Sequence, residues 1–179
     1  MKTITFLRHE EITPSGALTN VGKEKAKHRA NDLKKLSPFD LVITSSAERT
    51  KETAKIITKT LSINPLFESL EELYLPKNGN DRKIVEQLIE ELGAVPLCEY
   101  IRKDTSKAWQ NYAKAAYEAI LACIVIHKAE NILVVGHGNI INSLGLIINP
   151  RESNLKNIYF DYGKGFTIFE KTQNVSYYT

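Results

Sequence analysis

Three short runs of Val, Ile, Leu and Phe constrain this chain most: TITFL at 3–7, DLVIT at 40–44 and NILVVG at 131–136. None carries a charge between its ends, which suits strands buried on both faces. The intervals between them show helical spacing instead. Residues 19–36 and 47–61 read as helices, with Ser45 and Glu48 in a capping-box pattern at the start of the second. Residues 80–92 put Ile84, Leu88 and Leu92 on one face and stop at Gly93. A longer helix at 106–128 aligns Trp109, Tyr112, Ala116, Ile120 and Cys123 as a core stripe, and a short helix follows Gly138. The tail NIYFDYGKGFTIFEK reads as two strands around the Gly-Lys-Gly turn. Strands alternating with helices predict an α/β fold, a three-layer α/β/α sandwich with a mainly parallel central sheet.

With 179 residues, 42% of them hydrophobic, the chain suits one domain over 1–179, in which residues 66–107 are expected as a cap or loop insertion. Its longest apolar stretches, such as AILACIVI, fall short of the roughly 18 residues that a membrane span needs. The start MKTITFLRHEE has no cleavable signal pattern, so the expectation is a cytoplasmic protein without a membrane partner. Cys98 and Cys123 form no CxxC pair and read as reduced packing residues. A net charge of +3, with no basic stripe interleaved with aromatics, argues against nucleic acid as a partner.

Chemistry gathers at the carboxyl ends of the three strands, where such sheets carry their sites. The first strand delivers Arg8 and His9, followed by Glu10. The second runs into TSSAERT, which sets Ser45 and Ser46 at a helix start and Arg49 in its first turn. The third ends in VVGHGN, with His137 between Gly136 and Gly138 before a helix. Guanidinium forks and helix-start N–H groups both match anionic oxygens, so the convergence suits a phosphate. His28 in a basic helix and His127 at a helix end read as structural.

In this order LRHE, LTNVGKEKA, VITSSAERTKETA and ILVVGHGN resemble the histidine phosphatase superfamily, the phosphoglycerate mutase-like fold. The resemblance runs from residue 3 to about residue 146. It implies a phosphatase working through phosphohistidine at His9, with Arg8, Arg49 and His137 binding the phosphoryl group, and with no metal or organic cofactor. A histidine with a reference pKa of ~6.5 is mostly neutral at pH 7, and nearby guanidinium charges favour that nucleophilic form. The leaving alkoxide needs a proton, for which ESLEELYLP offers Glu72, with Glu71 as the fallback. Ser46, Gly138, Glu10 and Arg102 are the further candidates for substrate binding, the last in a cap at 93–107 with Lys103.

Two positions depart from the family pattern: Glu10 stands where glycine is common and Ile12 where threonine is familiar. Glu10 either points away from the phosphate, pairs with Arg8, or serves as an unusual acid. The expected substrate is a small phosphorylated metabolite or a phosphoprotein. The rivals are a mutase of the phosphoglycerate type, which must exclude water from its intermediate, and a silent member that binds phosphate without turning it over.

Overall fold

The computed structural model describes residues 2–172 and 174–178. Its six-stranded sheet runs β1 Thr3–Arg8, β2 Leu41–Ser45, β3 Leu66–Leu70, β4 Asn131–Gly136, β5 Gly165–Phe169 and β6 Asn174–Tyr178, in the spatial order β3-β2-β4-β1-β5-β6. The first four strands of that order are parallel, and β5 pairs antiparallel with both β1 and β6. Six helices complete the fold: α1 Asn20–Leu33, α2 Glu48–Leu61, α3 Gly79–Leu92, α4 Leu97–Lys103, α5 Ala108–His127 and α6 Gly138–Ile148.

The uncharged strand runs are explained by where alternate residues go. Leu7, Val42, Leu133 and Val135 pack with Ala30 and Leu33 of α1 and Ala54 and Ile57 of α2. Their neighbours Phe6, Leu41, Ile43, Ile132 and Val134 point to the other side, against Ala116, Ile120 and Ile124 of α5 and Ile140, Ile141 and Leu144 of α6. Each central strand therefore has to be apolar on both faces, and the result is the expected α/β/α sandwich. The α5 stripe is core as read, from Trp109 and Tyr112 through Ala116 and Ile120 to Cys123.

Several local expectations change. Ser45 is the last residue of β2 and not a helix cap; the N-cap of α2 is Ala47, whose side chain has no oxygen to offer, so the expected capping box does not form. The segment 66–107 begins as edge strand β3, and from Tyr74 and Leu75 onward, through α3 and α4, it lies beside the pocket described below. In the tail, residues before Gly163 do not form a strand; the hairpin is β5 with β6. The physical reason is local. Gly163 takes φ +67°, donates to the carbonyls of Arg8 and His9, and turns the chain over the end of β1 before β5 can start.

Register sets the three loaded strand ends level. Arg8 is paired with Gly136 across β1 and β4, and Thr44 with Val135 across β2 and β4. Since β4 lies between β2 and β1, the residues following it emerge between those following the other two.

Candidate active site

His9 is 4% exposed, and its ring is held from both sides. Nδ1 donates to the Glu10 carbonyl at 2.8 Å, which leaves the Nε2 lone pair to accept from Arg49 Nε–H at 3.2 Å. Burial, chiefly, and the Arg49 and Arg8 charges lower its pKa from 6.5 to about 4, against the opposing pull of the Glu10 carbonyl. His137 faces it with ring centroids 5.2 Å apart. Its Nδ1 lies 3.5 Å from Arg49 Nη2 and its Nε2 lies 2.9 Å from Ser45 Oγ, an arrangement satisfied when Nε2 carries the proton. Burial, then the neighbouring His9 ring and the two arginines, hold His137 well below the ordinary histidine range. Both rings are therefore neutral at pH 7, and both have a lone pair turned toward Arg49.

Ser45 bonds to His137 but does not line the pocket. Its Oγ also receives the Ala47 N–H at 3.2 Å and pairs with Thr50 Oγ1 at 2.9 Å, so the β2–α2 corner and His137 are tied by one hydroxyl. Ser46 does not line the pocket.

Arg8 is fixed by the segment preceding β5. Its guanidinium lies 4.3 Å from the Tyr162 ring centroid and 4.9 Å from that of Tyr159, and Nη1 donates to the Phe160 carbonyl at 2.7 Å. Its Nε is buried without a partner. Tyr162 also stands over His9 at 5.5 Å, and Tyr74 over His137 at 5.4 Å. The sequence gives no signal for these tyrosines, since the tail has strand-like composition and ESLEELYLP offers acids as its chemically distinctive residues.

Arg8, His9, Arg49, His137 and Gly138 thus share one cavity of about 530 Å3, bounded by α3, α4 and α5. The other candidates, Ser46 and Glu71 among them, are not in its lining. Glu72 forms an ion pair with Lys77 at 2.5 Å and lines a separate groove on the far side of Tyr112. Burial raises its pKa, but the Lys77 bond and backbone N–H contact outweigh this and the net shift is downward. Arg102 is exposed and pairs with Glu99 within its own helix. Lys103 reaches Glu91 of α3 at 3.3 Å.

Glu10 also turns away from the phosphate site, as the first of the three alternatives has it. Only Ser62, Lys107 and Lys128 have positive φ among the described residues other than glycine, so the backbone at position 10 has no need of glycine. The side chain, 2% exposed, enters a second cavity of about 440 Å3 beside Lys25, His28, Arg29 and Lys164. There Oε2 has no hydrogen-bond partner, and burial raises the pKa from 4.5 to about 7 despite Arg29 and Lys25. The carboxylate lies against Gly163, where an added Cβ would come within 2.0 Å of Oε1.

Among the described residues no group of three or more His, Cys, Asp or Glu side chains could hold a metal ion, and no helix is long and apolar enough to cross a membrane.

A sequence model of the histidine phosphatase superfamily (branch 1) matches residues 12–162. A search of curated proteins returns no match. Among solved structures, the alpha-ribazole phosphatase from Shigella flexneri aligns with a TM-score of 0.64 at 19% identity, covering 98% of this chain and 94% of that one. The phosphoglycerate mutase from Bacillus anthracis gives 0.64 at 16% identity, over 99% and 92%. A phosphoserine phosphatase from Entamoeba histolytica in complex with 3-phosphoglyceric acid gives 0.65 at 16% identity, over 100% and 96%. At these identities the likeness is one of fold: the sheet and its helical layers are phosphoglycerate mutase-like.

Proposed function

The chain belongs to branch 1 of the histidine phosphatase superfamily, and from that premise we propose that it hydrolyses a phosphomonoester through a phosphohistidine at His9. Nε2 of the neutral imidazole attacks phosphorus, forming the N–P bond as the ester P–O bond breaks. The Glu10 carbonyl keeps the proton on Nδ1 and stabilises the positive charge that develops on the ring. Arg8, Arg49 and His137, with the N–H groups that open α6, receive the phosphoryl oxygens, whose charge is greatest in the transition state. His137 contributes as a donor once Nδ1 is protonated or the ring turns. Water then cleaves the N–P bond and releases inorganic phosphate.

The alkoxide takes its proton from Glu71 in this reading, not from Glu72. Glu71 opens the turn after β3, and its carboxylate, second to burial, raises the hydroxyl pKa of Tyr112, a residue of the pocket wall. Hydrolysis is favoured over a mutase reaction because the rim beside α3 is exposed, leaving a phosphohistidine open to water. The cavity suits a small phosphorylated metabolite better than a folded phosphoprotein, in line with the alpha-ribazole phosphatase among the neighbours. Silent phosphate binding loses its main support, because Glu10 faces away.

The observation that carries the proposal is the pair of neutral imidazoles facing each other across one arginine, with the His9 Nε2 lone pair held by Arg49 Nε–H until a phosphoryl group takes that guanidinium. Rapid quenching with nitrophenyl phosphate should trap an acid-labile, alkali-stable phosphoryl group on the peptide that carries His9. His9→Asn should abolish both label and turnover; a labelled, active variant would overturn the assignment.

A further inference from the structure

Resting on the phosphatase reading, we infer that the substrate is a monoester of an uncharged or cationic alcohol bearing an aromatic face, with the phosphate as its one anionic group. The juxtaposition that carries this is a wall of six aromatic side chains between two arginines and two glutamates. Tyr74, Tyr100, Trp109, Tyr112, Tyr159 and Tyr162 all line the cavity. Tyr100 and Trp109 lie 4.6 Å apart and Trp109 and Tyr112 lie 5.5 Å apart, so these three form one contiguous patch. The polar edges of two of its members are already taken. Trp109 Nε1 donates to Ser143 at 3.0 Å, and Tyr100 Oη to the Gly93 carbonyl at 2.8 Å. What they offer a ligand is ring face, which binds planar apolar groups through offset or edge contacts. Ile12 and Ile89 extend the same apolar lining.

Charge points the same way. The Arg and Lys side chains of this lining are Arg8 and Arg49, and a phosphate dianion neutralises both. The acids of the lining are Glu86, which shares its charge with Arg82 at 3.1 Å, and Glu90. A leaving group with its own carboxylate would meet the Glu90 charge and no further cation of the lining, whereas a neutral or ammonium-bearing group meets no penalty.

Two monoesters of primary alcohols with comparable leaving groups separate shape and charge from chemistry: phenethyl phosphate and 3-carboxypropyl phosphate. The expected kcat/KM favours the phenethyl ester by about tenfold or more, and E90K should narrow that ratio by about threefold. Equal or inverted values in the wild-type protein, or a ratio that E90K leaves unmoved, would overturn the inference. Trp109 is the chain's one tryptophan, so its emission reports occupancy of the wall. Phenethylphosphonate should change that emission at concentrations where 3-carboxypropylphosphonate does not. If neither these esters nor nitrophenyl phosphate is hydrolysed, the phosphatase reading fails. The phosphonate titration then still decides the preference, and equal binding of the two would overturn it.

Discussion

Single residues decide how this pocket works, and Glu71 and Glu72 are the sharpest case. They are adjacent, yet Glu72 is bound to Lys77 in a separate groove while Glu71 acts electrostatically on Tyr112. Glu71→Gln should therefore reduce kcat on alkyl phosphates by about 100-fold and on nitrophenyl phosphate far less, because general acid catalysis matters most for a poor leaving group. Glu72→Gln should leave that leaving-group dependence intact. Steady-state rates on the two ester types check it, and equal losses in both variants would count against Glu71. The Arg8–His9 pair and His137 were legible because each ends an uncharged strand run. The choice between two consecutive glutamates was not, since a helical turn sends neighbouring side chains to different sides and no sequence period resolves a single step of a 3₁₀ turn.

At the scale of elements, the segment from Ile158 to Lys164 acts as a strap across the end of β1. Gly163 N–H donates to the carbonyls of Arg8 and His9, Phe160 holds the Arg8 guanidinium, and Glu10 packs against Gly163 from behind. Gly163→Ala adds a Cβ at φ +67° and drives it toward Glu10, which should destabilise the fold by roughly 2–3 kcal/mol and lower kcat with it. Combining it with Glu10→Gly removes the clash but not the backbone strain, so denaturant midpoints should show about half of the loss recovered. Full additivity in that cycle would mean that the two positions do not meet. From sequence this strap reads as half of a hairpin. Its Ile, Tyr and Phe residues have strand-like composition, and only the long-range partner Arg8 tells why they are not paired in a ladder.

For the whole molecule, buried titratable groups of opposite sign shape stability against pH. His9 has a folded pKa of about 4 against an unfolded value near 6.5, so its contribution is fully present above pH 6.5 and lost as pH falls through 4. His137 works in the same sense. Glu10, raised to about 7 from 4.5, works in the opposite one: its contribution is present below pH 4.5 and lost as pH rises through 7. Glu11, His28, Asp32, Asp161 and Lys164 surround it along with Lys25 and Arg29 and set the size of the effect. Glu10→Gln should match the wild-type protein near pH 4.5 and exceed it by roughly 2–3 kcal/mol at pH 8, measured by denaturant unfolding at both values. A constant offset across that range would remove Glu10 as the cause. The central parallel strands and their helical layers are legible because burial on both faces writes itself into composition, whereas edge strand β3 and a buried carboxylate facing a cavity leave no such trace. The strap has one more consequence. Both histidines are in place by residue 137, but the contacts that aim Arg8 come from residues 159, 160 and 162, so a polypeptide still emerging from the ribosome cannot grip phosphate until the strap has left it too.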